Sequence, residues 1–185
     1  ETFVKYFVDT IQCGLTDGMP ANITSFCDYD KNGLIGNFSS FKQINDNLDV
    51  FVDDLPVNYS GAFNSSRRIS FRSAATERVV FNYDFLNPLN VLNITIEKQP
   101  FTASQGYIIV KGIESAKTVY IDRLIQNSSS VCVKDSFVND ILDLSMNCNN
   151  SLEYLIPCPG ANSSFTCALN GSFISVSGLM HSAVR

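Results

Sequence analysis

The chain has 185 residues, 45% of them apolar, and sets 13 Lys and Arg against 18 Asp and Glu for a net charge of −5. That length suits one domain, or two small ones, with a real core. The acidic balance and the lack of any basic block argue against nucleic acid or anionic membrane as main partner. No apolar run approaches the roughly 20 residues of a membrane-spanning helix. The chain as given is expected to be soluble, with any secretory signal already removed or part of a longer precursor, because it does not open on a basic segment and apolar stretch.

Residues 2–11 fit a helix with Phe3, Phe7 and Ile11 on one face, or a strand by their aromatic and β-branched content. A Cys13–Cys27 loop and an Asp-rich turn follow. Phe41, Ile44 and Leu48 then recur at helical spacing, which predicts a short helix over residues 38–48 with Ser39 or Ser40 as its cap. Residues 1–48 thus read as an N-terminal helix and loop segment.

From about residue 49 the pattern changes to short alternating or β-branched runs. Residues 50–57, 68–72, 78–85, 91–97, 106–112 and 117–125 read as strands, separated by breakers at 58–61, 87–88, 100–105 and 112–116. Further strand candidates lie at 131–134, 152–156 and 172–177. In 79–85 the odd positions are apolar or aromatic and the even ones include Asn82 and Asp84, so one face is buried. The expected architecture is mainly β, an antiparallel β-sandwich over residues 49–185, or one continuous domain with the N-terminal segment.

Asn-x-Ser/Thr acceptor triplets begin at Asn22, Asn37, Asn58, Asn64, Asn93, Asn127, Asn149, Asn162 and Asn170, none with a central Pro. With 18 Asn and 31 Ser and Thr in the chain, random order would give about three. The excess points to a chain that folds outside the cytosol and carries N-linked glycans, bulky and solvating, over much of its surface. Acceptors are missing from residues 1–21 and 94–126. Glycans and close protein contacts exclude each other, so these two stretches are candidates for subunit contact or deep core.

Six cysteines agree with that compartment: an even number without a CxxC reads as three disulfides. Fifteen pairings are possible. Proximity in sequence favours Cys13 with Cys27, Cys132 with Cys148 and Cys158 with Cys167. Loops of about 10 to 17 residues would each contribute about 2–3 kcal/mol in the chain-entropy model.

Asp28-Tyr29-Asp30-Lys31-Asn32-Gly33-Leu34-Ile35 places side-chain oxygens at alternate positions, then a Gly where the chain must turn, as in the first half of a calcium loop. Asp28, Asp30, Asn32 and the Leu34 carbonyl could give Ca²⁺ four of its six to eight oxygens. Ser39 stands where a bidentate acid should close the loop, so water, another carbonyl, Asp46 or Asp49 would complete a weak structural site. An ordinary Asp/Asn/Gly turn explains the same residues.

The chain shows no GxSxG, HExxH, Gly-rich phosphate loop or Cys-His pair. Its one histidine, His181, lies near the end of the sequence. Carboxylates at Asp53, Asp54 and Asp84 could serve a glycosidase only if two faced each other across a cleft. The chain is therefore expected not to be an enzyme. A glycan-binding module would need an exposed aromatic patch free of acceptors, around Phe101, Tyr107 or Tyr120.

The stretches Cys27-Asp-Tyr-Asp-Lys-Asn-Gly33, Asn93-Ile-Thr-Ile-Glu-Lys-Gln99, Tyr107-Ile-Ile-Val-Lys-Gly112, Thr118-Val-Tyr-Ile-Asp-Arg123, Val131-Cys-Val-Lys-Asp135 and residues 176–184 together resemble a domain of secreted, modular surface glycoproteins of archaea. The resemblance rests on cadence over most of the chain past Cys27. It implies an extracellular structural or adhesive part of a pilus, thread or surface layer, and no enzyme. Free of acceptors and apolar on one face, the segment 1–12 is expected to be either an element of its own domain or a strand or helix donated to the next subunit, with partners that are further copies in a homopolymer or other surface proteins.

Overall fold

The computed structural model describes Asp28, residues 32–57 and residues 61–185, and β-structure dominates it. Alternation sets the strands. In β6 (Thr76–Asp84) Val79 and Phe81 are buried while Asn82 and Asp84 are exposed, and β10 (Lys117–Asp122) alternates in the same way. Residues of period two present one apolar face, which is stable only against another such face.

The remaining strands are β1 (Leu34–Ile35), β2 (Lys42–Ile44), β3 (Asp49–Val52), β4 (Leu55–Pro56), β5 (Ser66–Ser73), β7 (Leu89–Asn90), β8 (Thr95–Lys98), β9 (Ile108–Lys111), β11 (Ser130–Lys134), β12 (Glu153–Pro157), β13 (Gly160–Asn162), β14 (Phe165–Asn170), β15 (Phe173–Leu179) and β16 (Ser182–Val184). They form an eight-stranded sheet of order β13-β14-β15-β10-β6-β5-β3-β4, a six-stranded sheet of order β12-β11-β16-β9-β8-β2, and the small pair β1-β7. Ile69, Phe71, Val79, Val119 and Val176 of the larger sheet share one hydrophobic cluster with Ile96, Ile108, Val110, Val133 and Val184 of the smaller. Each such side chain, taken fully out of water, contributes about 1.5–3 kcal/mol.

Two-residue turns fix several registers. Asp53 and Asp54 both have positive φ, 51° and 65°, between the paired Val52 and Leu55, the primed geometry that matches strand twist. Ser163-Ser164 links Asn162 to its partner Phe165, and Gly171-Ser172 links Asn170 to Phe173. Gly178 interrupts β15 at φ 91°, where a Cβ would stand 2.3 Å from the Ser164 carbonyl oxygen; only glycine fits that approach.

The helix expected over residues 38–48 does not form. Asn37 caps a single 3-10 turn at Phe38–Ser40, its Oδ1 accepting from the Ser39 N–H at 2.9 Å. The chain then runs extended into β2, and Asn45, in the left-handed region at φ 60°, turns it toward β3. Phe38, Phe41 and Leu48 are buried as an apolar face requires, but in the main cluster beside Phe71 rather than along a helix. Pairing of β2 with β8, from Lys42 opposite Thr95 to Ile44 opposite Glu97, supplies the backbone bonds a helix would have made internally. That pair and β1-β7 are parallel, so the expectation of wholly antiparallel pairing is corrected too. The helix-or-strand reading of residues 2–11 falls outside the described residues.

Cys132 is bonded to Cys148 and Cys158 to Cys167, with Cα atoms 5.5 and 5.1 Å apart. These are the two pairs the short loops suggest. The third, Cys13 with Cys27, lies outside the described residues. The first bridge ties the β11–β12 connection over the outer face of the six-stranded sheet, where Ile109, Cys132, Val138, Leu144 and Ala183 form a second cluster. Among the described residues no helix is long and apolar enough to cross a membrane.

Candidate functional site

Seven of the nine acceptor asparagines are described, and all seven are exposed. Their places follow from local structure. Asn37 and Asn93 begin and end 3-10 turns, Asn127 and Asn149 lie in loops after β10 and Cys148, and Asn162 and Asn170 are the last strand residues before two-residue turns. Asn162 also donates its Nδ2 to the Leu155 carbonyl of β12 at 2.9 Å, on a strand that ends its sheet. Asn22 and Asn58 lie outside the described residues. The acceptor-free stretch 94–126 builds β8, β9 and β10, with Ile94, Ile96, Ile109 and Val119 fully buried, while Phe101, Leu124 and Ile125 in its loops are exposed; its strands are core and its loops are surface. The stretch 1–21 is not described.

At the acidic turn, Asp28 accepts from the Asn32 N–H at 3.0 Å through Oδ1 and from the Gly33 N–H at 2.9 Å through Oδ2. Asn32 Oδ1 accepts from the Leu34 N–H at 2.8 Å. These bonds hold the chain at Gly33, φ 89°, and deliver Leu34 into β1 against Leu89. Asp30 lies outside the described residues. Asp46, one residue considered for closing a calcium shell, is buried in ion pairs with Arg78 and Lys98, and is thereby withdrawn from that role. Asp49 is exposed on β3, and Ser39 lies in the 3-10 turn. The one cluster of potential ligand atoms among the described residues, Cys132, Cys148 and Glu153, has its sulfurs in a disulfide, which leaves no thiolate for a metal.

Of the carboxylates considered for hydrolysis, Asp84 is exposed and accepts from the Leu86 N–H at 3.2 Å, while Asp53 and Asp54 are held by arginines. Asp53 bonds Arg67 at 2.9 Å, and Asp54 bonds Arg68 at 2.6 Å and also contacts Arg72. The Arg67 side chain and the Arg68 backbone N–H hold the Asp53 carboxyl below its usual range. His181 is exposed, and its backbone N–H donates to Asp135. Tyr107 donates its hydroxyl to Glu97 at 3.1 Å, and burial with that bond pushes its pKa up to about 12. Burial likewise raises Tyr120, which interacts with Glu77. Of the three aromatics considered for a sugar platform, Phe101 alone is fully exposed, at 105%, and exposed Leu124 and Ile125 follow the strand that ends at Asp122.

Spacing in the sequence gives no sign of a groove of about 520 Å³ between the β6–β8 region and the loops after β9, β11 and β15. Its walls include Asn93, Lys111, Glu114, Phe137, His181 and Ser182. Phe137 is 76% exposed. Ser182, only 2% exposed, has an Oγ with no hydrogen-bond partner among the described residues. Gly112 (φ 77°) bends the chain beside it, where a Cβ would meet the Asn93 carbonyl oxygen at 2.2 Å. These residues come from distant parts of the chain, so only the acceptor triplet at Asn93 marked the place in advance.

Comparison of the chain with protein family models, curated proteins and solved structures found no match.

Proposed function

We propose that this chain is an extracellular structural glycoprotein, a disulfide-stapled β-sandwich that serves as subunit of a surface filament, such as a pilus or thread, or of a surface layer. The observation that carries the reading is the exposure of all seven described acceptor asparagines, while the strands of the acceptor-free stretch 94–126 supply buried core residues such as Ile96, Ile109 and Val119. A two-layer sandwich is supported by the single hydrophobic cluster drawn from both sheets. The segments that resemble domains of archaeal surface glycoproteins support an archaeal, cell-surface origin. A weak structural Ca²⁺ on Asp28, Asp30, Asn32 and the Leu34 carbonyl fits the same setting, since extracellular modules hold calcium at about 10⁻⁴–10⁻³ M.

Assembly proceeds by self-association through surfaces free of sugar, including residues 1–12 docking into the next subunit. The described sheet edges restrict where a strand can add. Pro56 in β4 has no N–H to offer, and the outer β12 carbonyl at Leu155 is taken by Asn162. That leaves β2, at the other end of the six-stranded sheet, and β13, at the other end of the eight-stranded one, as acceptor edges. Deleting residues 1–12 tests donation: a folded chain that no longer assembles is expected, and one that unfolds or assembles unchanged would contradict it.

The alternative of an adhesin or glycan-binding module has one observation in its favour, Phe101 fully exposed in the acceptor-free stretch. Tyr107 and Tyr120, the other aromatics of such a platform, are only half-exposed and interact with Glu97 and Glu77, which leaves this reading second.

A further inference from the structure

We infer that the groove beside β9 is a docking site for the innermost sugars of a glycan carried by Asn93 on the same chain. The inference rests on the glycoprotein reading and assigns to one acceptor a place in the folded structure.

Asn93 stands in the wall of the groove and is exposed, so a sugar on its amide begins within the cavity's reach. A volume of about 520 Å³ falls within the range of about 300–1,000 Å³ of small-molecule sites. Its chemistry fits an amphipathic ring. The exposed Phe137 offers an aromatic face to the C–H side of a sugar. Lys111, Glu114 and His181 supply donors and acceptors for hydroxyl and acetamido groups. The Ser182 hydroxyl, buried without a partner among the described residues, lies behind the same wall. Because the sugar is tethered, its effective concentration is high and docking needs no strong intrinsic affinity. Other described acceptors do not line this groove.

The occupant also separates this cavity from a site for a free ligand: with a glycan on Asn93, the groove is filled by the protein's own modification. The docked sugar would cover Phe137 and order the loops after β9 and β11.

The test uses the full 185-residue chain from a host that glycosylates Asn-x-Ser/Thr, with occupancy mapped by mass spectrometry. Asn93→Gln is compared with Asn64→Gln and with Phe137→Ala, and the wild type and Asn93→Gln are also made unglycosylated. Expected is a glycan on Asn93, a melting temperature about 3 °C lower in Asn93→Gln and little change in Asn64→Gln. The unglycosylated pair should not differ. Phe137→Ala should keep its Asn93 glycan and lose the same stabilisation. The imidazole NMR signal of His181, the chain's one histidine, should shift between glycosylated wild type and Asn93→Gln. A glycosylated Asn93 whose loss matches that of Asn64, with an unmoved His181 signal, would overturn the docking site and leave the glycoprotein reading intact. An unmodified Asn93 beside other occupied acceptors would overturn it too. A chain from its native source without sugar anywhere would remove the reading beneath it.

Discussion

Replacing Lys117 with methionine is expected to lower the free energy of unfolding at pH 7 by about 3–4 kcal/mol. Lys117 opens β10 and is 2% exposed. Its Nζ donates to the Ile113 carbonyl at 2.7 Å and to that of Met180, with the Ser115 and Leu179 carbonyls at 3.4 and 3.5 Å. Burial pushes its pKa down to about 8, while the charges of Asp135 and Glu114 pull the other way. At pH 7 the amine is therefore still protonated, and its three N–H groups are shared within a cage of backbone oxygens. Methionine fills much of the volume but donates nothing, so loop carbonyls at Ile113 and Met180 lose their charged partner. Hydrogen bonds to charged groups contribute about 1.5–3 kcal/mol each, and relief of the buried charge offsets part of that loss. Urea unfolding checks the result; a loss below about 1 kcal/mol would mean that the cage does not stabilise the junction of β10 and β15.

Replacing Arg78 with methionine is expected to cost about 3 kcal/mol at pH 7, with the loss shrinking in acid. Arg78 and Asp46 are both 7% exposed, with Nε 3.3 Å from Asp46 Oδ2, and Nη1 lies 2.6 Å from Asp122 Oδ1. Lys98 Nζ lies 3.1 Å from Asp122 Oδ2, and the Gln99 amide donates to the same oxygen. The Arg78 guanidinium also stands 5.2 Å from the centre of the Phe173 ring. Removing the arginine leaves the Asp46 and Asp122 carboxylates with Lys98, Gln99 and, at Asp46, the Asn47 N–H at 2.9 Å. Burial alone would raise the Asp122 pKa, but Arg78 and Lys98 outweigh it and hold the carboxyl below its usual value of 3.8. A folded pKa below the unfolded one gives stability that is complete above about pH 4 and lost as pH falls through the folded value. The gap between wild type and Arg78→Met should thus narrow below about pH 4. A gap unchanged down to pH 3 would contradict the ion-pair account and leave lost packing as the cause.

Strands were legible where alternation was local. The run through Val79, Phe81 and Phe85 shows its buried face without knowledge of a partner. The Cys158–Cys167 pair was legible because its loop is short and joins adjacent hairpin strands. Phe41, Ile44 and Leu48 misled because a turn flanked by short strands reproduces helical spacing, and the deciding bonds run to β8, some 50 residues away. β14 was missed although Phe165 and Cys167 alternate with exposed Thr166 and Ala168; a cysteine counted for its bridge hid the strand. β16 carries no alternation, since all three of its residues are buried. The acceptor triplets were readable as chemistry, while the groove and the Lys117 cage were not. One is assembled from separate loops and the other from carbonyl oxygens, which every residue has.

The most direct test of a surface structural subunit is electron microscopy of the native protein, with and without a calcium chelator, alongside its mass in solution. Regular filaments or sheets are expected, and their loss on chelation would tie the Asp28 loop to assembly. A monomer indifferent to chelator would contradict both the structural role and the calcium, and would favour the ligand-binding reading around Phe101.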